Sequence, residues 1–226
     1  MIRGEIKDEV IPMSNNKYDA ILFDLDGVIC STDEYHYLAW KTIADELGLP
    51  FSREKGNRTR GVSRMESLAV VIEDYDKPLT EEEKVELATT KNTRYQKLLE
   101  QMSPADLDPQ VYNTLVALRE RGIKLAIGSS SKNAKLILGR LGLGDFFDAI
   151  ADGTDITRSK PDPEVFLCAA AKVNTPPERC LVVEDAVAGA QAGHGAGSDV
   201  ACVGDAAANK AGDYNLTSFA ELLDCV

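Results

Sequence analysis

The chain has 226 residues, 44% hydrophobic and 27% charged, the composition of a globular protein and not of a disordered one. Asp and Glu outnumber Lys and Arg by 37 to 25, and the resulting charge of -12 repels phosphate backbones and anionic membranes, so neither nucleic acid nor membrane is an expected partner. No apolar run approaches the roughly 20 residues of a membrane span.

Met1 to Lys17 mixes both charges around Pro12 and reads as a loosely attached extension, residues 1–17, and not as a secretory signal. The first apolar run, Ala20 to Phe23, then leads into Asp24-Leu25-Asp26-Gly27. Three further runs suit buried parallel strands. Lys124 to Ile127 leads into Gly128-Ser129-Ser130-Ser131, Cys180 to Val183 into Glu184-Asp185, and Val200 to Val203 into Gly204-Asp205. Helical patterns lie between them at Val111 to Arg121, Ala134 to Leu141, Glu164 to Lys172 and Ala186 to Ala192. Alternating strands and helices predict an α/β layered domain, with ligands collecting beyond the carboxyl ends of the strands.

The stretch from Asp33 to Ser103 reads as wholly helical. Tyr35, Leu38, Ala39, Ile43 and Leu47 lie at helical spacing before Gly48. Ser63-Arg64-Met65-Glu66 and Thr80-Glu81-Glu82-Glu83 are capping boxes that open two more helices. Such an insertion predicts a separate small cap, hinged at Ser31-Thr32 and at Ser103 to Asp106. Trp40 and Phe51 are expected in the cap core. Gly193-His194-Gly195-Ala196-Gly197 follows a helix and precedes a strand, the wrong order for a dinucleotide loop, so it reads as a helix end and turn with His194 exposed.

Five scattered cysteines and two histidines leave no zinc pattern and suit a reducing, cytoplasmic compartment. Carboxylates dominate the chemistry instead. Asp24 and Asp26, two apart in extended chain, face one site. At ~4 Å two such charges repel by about 4 kcal/mol at an effective dielectric of 20. Glu184 and Asp185 worsen the crowding unless a hard cation sits among them, and Mg²⁺ fits oxygen ligands shared with phosphate. Ser129, before a helix predicted from near Lys132, offers a hydroxyl and free N–H groups to an anion. Lys160, between Ser159 and Pro161, supplies a fixed positive charge.

The order Asp24-Leu25-Asp26-Gly27-Val28, Ser129, Lys160-Pro161, Glu184-Asp185 resembles the four signature motifs of the haloacid dehalogenase superfamily. The resemblance covers nearly all of the chain from Tyr18 on. It implies a Rossmann-like parallel-sheet core at residues 18–32 and 104–226 with an inserted helical cap at 33–103. It further implies that Asp24 is the nucleophile, Asp26 the general acid/base, and Ser129 and Lys160 the holders of the transferring phosphoryl group. Mg²⁺ is implied on Asp24, the backbone carbonyl of Asp26, Glu184 and Asp185. Within that superfamily Thr32 to His36, Arg60 to Arg64, Lys91-Asn92 and Ser129 to Asn133 are similar to the β-phosphoglucomutase family. That likeness implies substrate contacts from Thr32, His36, Arg60, Arg64, Lys91, Ser131, Lys132 and Asn133, with Arg64 gripping the non-reacting phosphate. Arg60 stands where a lysine is the rule there, and Ser31 where an aspartate is. The activity implied interconverts β-D-glucose 1-phosphate and D-glucose 6-phosphate on a monomeric enzyme acting on a small sugar phosphate. A sugar-phosphate phosphatase and a non-catalytic phospho-receiver are the alternatives.

Overall fold

The computed structural model describes residues 16–59 and 62–226. Of the expected extension only Asn16 and Lys17 are among them, and Arg60 and Gly61 lie outside the described residues. The strands are β1 (Ala20–Phe23), β2 (Lys124–Gly128), β3 (Ala149–Ala151), β4 (Cys180–Glu184), β5 (Asp199–Cys202) and β6 (Tyr214–Asn215). They form one sheet in the order β3-β2-β1-β4-β5-β6, parallel at every pairing. The chain runs outward from β1 to β3, then returns to the other side of β1 with β4. The crevice for a ligand therefore opens beyond the carboxyl ends of β1 and β4.

Alternation along the strands divides the core. Ile21, Phe23, Leu125, Ile127, Leu181 and Val183 face one layer, covered by α5 (Pro109–Glu120) and α6 (Ala134–Arg140). Ala20, Leu22, Ala126, Val182, Val200 and Cys202 face the other, covered by α7 (Glu164–Lys172), α8 (Val187–Ala196) and the short α9 (Gly204–Ala208). Burial of both faces explains why these strands lack polar alternation.

Four helices leave the sheet between β1 and β2: α1 (Asp33–Glu46), α2 (Arg53–Asn57), α3 (Arg64–Val71) and α4 (Glu81–Leu99). They enclose an apolar cluster of their own around Trp40, Ile43, Phe51, Leu68 and Val71. Both expected capping boxes form, Ser63 with Glu66 and Thr80 with Glu83. Tyr95 and Leu99, near the end of α4, pack instead into the sheet's first layer, beside Leu25 and Ile29. Helix α8 runs four residues past its expected end and stops at Gly197, whose φ of +89° is the left-handed cap that glycine favours. His194 lies exposed in its last turn. No described helix is long and apolar enough to cross a membrane, and all five cysteines are free.

Candidate active site

The ends of β1, β2 and β4 open into a cleft of about 930 Å³, roofed by residues of α1 to α4. Asp24 and Asp26 follow β1 directly and both line it, while Leu25 between them is fully buried, as the two-residue period requires. Glu184 ends β4 and Asp185 follows it. One oxygen from each of Asp24, Glu184 and Asp185 lies within 4.8 Å of the others. Such an oxygen-only donor set fits a hard divalent cation. The packing is close: a side chain at Gly27, φ +90°, would collide with the Asp185 carboxylate, and one at Gly189 with that of Glu184.

Lys160 reaches into this cluster from the loop before α7. Its Nζ donates to Asp24 Oδ1 and, at 2.5 Å, to Glu184 Oε1. Burial alone disfavours the ammonium, but Asp24 and Glu184 outweigh it, so Lys160 stays charged beyond the ordinary lysine range. Glu184 Oε2 accepts from the N–H groups of Asp185 and Ala186 at 3.0 and 3.2 Å, which fixes the turn that presents Asp185. Burial drives the Asp24 carboxyl well above the usual carboxylate range, against the pull of Lys160.

Asp26 is also raised by burial, offset in part by a hydrogen bond from the Thr32 hydroxyl. A carboxyl that keeps its proton more readily suits transfer of that proton to an alkoxide-like oxygen. Thr32 is a correction to the sequence reading. It was expected at the substrate, yet it is fully buried behind Asp26 and is absent from the cleft wall. Its hydroxyl accepts from Tyr95 at 2.9 Å and donates to Asp26, so it holds the acid in place. Thr32 is the N-cap of α1 but makes no capping bond, because its side chain is turned to this task.

Ser129, 2% exposed, lines the cleft at the end of β2, and its Oγ accepts from Ser131 N–H at 3.2 Å. Ser131 Oγ in turn accepts from Asn133 N–H at 3.2 Å. This nested loop carries Ser131, Lys132 and Asn133 onto the cleft wall, and α6 begins after it at Ala134, where its helical pattern was expected to start. From above, Arg64 enters at the first turn of α3, half-buried, with its Nη2 on Asn92 Oδ1 at 2.9 Å. His36 and Lys91 meet at 2.7 Å between Nδ1 and Nζ. Burial holds the imidazole well below its ordinary value, reinforced by Lys91 and Arg64, which favours the neutral ring, whose Nδ1 can accept from the lysine. The cleft thus brings together every expected site residue except Thr32, which stands behind it, and Arg60, which lies outside the described residues.

Lys91 itself is 3% exposed, against the Trp40 and Tyr95 rings, and burial followed by Arg64 lowers it to about 7. A lysine lowered in the folded state sheds there a proton that it keeps unfolded, so folding stability rises with pH between about 7 and the ordinary value near 10.4. Lys91→Met is therefore expected to raise the melting temperature by several degrees at pH 7, with the gain shrinking as pH increases. Thermal unfolding of both proteins from pH 6 to 9.5 checks this, and a gain that grows with pH would contradict it.

Sequence reasoning missed Gln96, which donates to Asn133 Oδ1 at 2.8 Å, and the role of Asn92 as the acceptor shared by Arg64 and Asn133. Polar residues on a solvated helix give no local signal of such contacts.

Residues 18–197 match the family model of haloacid dehalogenase-like hydrolases. The chain belongs to that family and is an enzyme of it. It is 44% identical over 187 residues to the Beta-phosphoglucomutase of Bacillus subtilis, a match spanning 82% of this chain and 83% of that protein. It is 30% identical over 182 residues to the Phosphorylated carbohydrates phosphatase of Thermotoga maritima, with 79% and 82% covered. Among solved structures, the β-phosphoglucomutase of Clostridium difficile aligns with a TM-score of 0.84 at 36% identity, over 91% of this chain and 93% of that one.

Proposed function

We propose that the chain is a Mg²⁺-dependent phosphomutase that interconverts β-D-glucose 1-phosphate and D-glucose 6-phosphate through an aspartyl phosphate and a glucose 1,6-bisphosphate. The observation that carries this reading is a second group suited to an anion, the Arg64 guanidinium, which lines the same cleft as Asp24 from the first turn of α3. A phosphatase requires one phosphate site. A mutase requires two, because the bisphosphate must turn round and be gripped in either orientation. The planar guanidinium offers two parallel donors to a phosphate, and its place at the amino end of a capped helix favours an anion there. The 44% identical relative from Bacillus subtilis supports the same reading.

Asp24 attacks the phosphorus of the bound phosphate ester while the bond to the sugar oxygen breaks and Asp26 gives that oxygen its proton. In the other direction Asp26 removes the proton of the sugar hydroxyl as it attacks the aspartyl phosphate. Ser129 and Lys160 hold the equatorial oxygens of the group in transit, in keeping with a reaction governed by positioning and charge neutralisation. Mg²⁺, held by Asp24, the Asp26 carbonyl, Glu184 and Asp185, would neutralise charge on that group. Residues 33–103 act as a cap on a core of 18–32 and 104–226, and its closure keeps water from the aspartyl phosphate. The phosphatase reading shares every core step and differs only in letting water attack, and the relative from Thermotoga maritima keeps it in view.

Arg64→Ala separates the two. The variant is expected to lose about 100-fold or more in mutase turnover, measured by coupled detection of glucose 6-phosphate with a trace of bisphosphate primer. Hydrolysis of a simple aryl phosphate, which carries no second phosphate, is expected to stay within about threefold of the parent. Equal loss of both activities would remove the second-site role.

A further inference from the structure

Asn133 occupies the N-cap of α6, where an asparagine side chain ordinarily accepts from an early helical N–H, yet it makes no such bond. Its amide crosses to α4 instead. Gln96 Nε2 donates to Asn133 Oδ1 at 2.8 Å, and Asn133 Nδ2 donates to Asn92 Oδ1 at 3.0 Å. Arg64 Nη2 donates to the same Asn92 oxygen at 2.9 Å. Asn92 and Gln96 are four residues apart, hence on one face of α4, and the buried Asn133 side chain sits against both.

These bonds run in one sense. Arg64 can only donate, so it fixes the oxygen of Asn92 toward itself and Asn133; Asn133 then turns its own oxygen to Gln96, whose amide must donate to complete the chain. Were the Asn133 amide reversed, two oxygens would oppose each other at Asn92 and two nitrogens at Gln96. We propose that Gln96 is a positioning residue that holds this relay in the sense Arg64 requires, by donating to the Asn133 oxygen. Through it Gln96 orients the Arg64 fork for the distal phosphate and ties α4 to the Ser129–Asn133 loop while the phosphoryl group is in transit. The inference rests on the mutase reading above, and it assigns to Gln96 a share in the choice between sugar and water as acceptor.

The test compares Gln96→Leu, Gln96→Glu and Gln96→Lys with the parent in the coupled mutase assay, with free phosphate measured in the same samples. Gln96→Leu is expected to raise KM for β-glucose 1-phosphate about threefold to tenfold, the factor of one net hydrogen bond, with kcat within about twofold. Phosphate released per mutase turnover should rise by a similar factor. Gln96→Glu can only accept, so its KM should rise further, and the rise should persist at high salt, which would erase a simple charge effect. Gln96→Lys restores a donor and should return KM to within about twofold of the parent. Equal KM values for the Leu and Lys variants, or a parallel fall in aryl phosphate hydrolysis, would overturn the proposal. A parent that hydrolyses glucose phosphates without isomerising them would defeat the mutase reading alone. The same ordering of variants is then read in KM for hydrolysis.

Discussion

Asp24→Asn is expected to lower phosphoryl-transfer turnover on the order of 10⁴-fold or more and to leave the folded protein at least as stable as its parent. The first half follows from chemistry: a carboxylate oxygen can form an acyl phosphate and release it again, and a neutral amide is a poor nucleophile. The second half follows from burial. Asp24 is 7% exposed, and desolvation raises its carboxyl well above the usual range even with Lys160 beside it. A carboxyl raised in the folded state binds a proton that the unfolded chain has lost, so its ionisation weakens folding as pH climbs past the unfolded value near 3.9. An uncharged amide of the same shape carries no such cost at pH 7, its oxygen can still accept from Lys160, and that ammonium keeps Glu184 as its counter-charge. Intact mass after exposure to acetyl phosphate reads the chemistry, with a phosphoryl adduct on the parent and none on the variant. Urea unfolding without divalent cation reads the stability. A variant that still gains the adduct would move the nucleophile away from Asp24.

Removing the cation at the centre of the cluster should do the opposite to stability. In Lys160→Met the Asp24 and Glu184 carboxylates, both buried, lose the ammonium that donates to each. Breaking a buried pair by deleting one partner costs about 3–5 kcal/mol, and at about 2–4 °C per kcal/mol for a chain of this size the melting temperature should fall by about 6–20 °C. Turnover should fall about 100-fold or more, since a fixed positive charge beside the transferring group is lost. Millimolar Mg²⁺ should raise the melting temperature of the variant more than that of the parent, because a hard cation can then supply Asp24 and Glu184 with the counter-charge that the ammonium gave them. Thermal melts of both proteins with and without Mg²⁺ measure this. An unchanged melting temperature, or a larger Mg²⁺ shift in the parent, would contradict the account.

The two halves of the molecule were unequally legible. Strands β1, β2, β4 and β5 announce themselves because both faces are covered, leaving short unbroken apolar runs. Strand β3, three residues at one sheet edge, and β6, two residues at the other, are too short to carry a pattern. Capping boxes marked the starts of α3 and α4, whereas α2, with the sequence REKGN, has no apolar period to betray it. Helix α8 outran its expected end because Gly193 and Gly195 read as breakers. In the fold Gly193 lets the helix lie against the sheet, where a side chain would come within 2.7 Å of Val200.

The core of the site was readable for a related reason. Asp24, Ser129 and Glu184 each directly follow or end an apolar strand, so their position is fixed by the strand itself. Their mutual approach depends only on the order of the sheet. Thr32 was misplaced because a hydroxyl near a carboxylate pair looks the same in sequence whether it meets a ligand or stands behind the acid. Gln96, Asn92 and Asn133 are joined only by tertiary packing of α4 over α6, which no local pattern encodes.

Helix α4 has 19 residues and is thus about 28 Å long, with Tyr95 near its carboxyl end and the capping box at the far one. A 10° swing pivoting at Leu99 would displace Tyr95 by about 1 Å, Lys91 by about 2 Å and Glu81 by about 5 Å. A swing of that size would part the outer lip by several ångströms while the tyrosine stayed almost still against Thr32. The outermost turn of the helix would thus travel farthest, and the chain of hydroxyls from Tyr95 through Thr32 to the Asp26 carboxyl at its root would keep its registry.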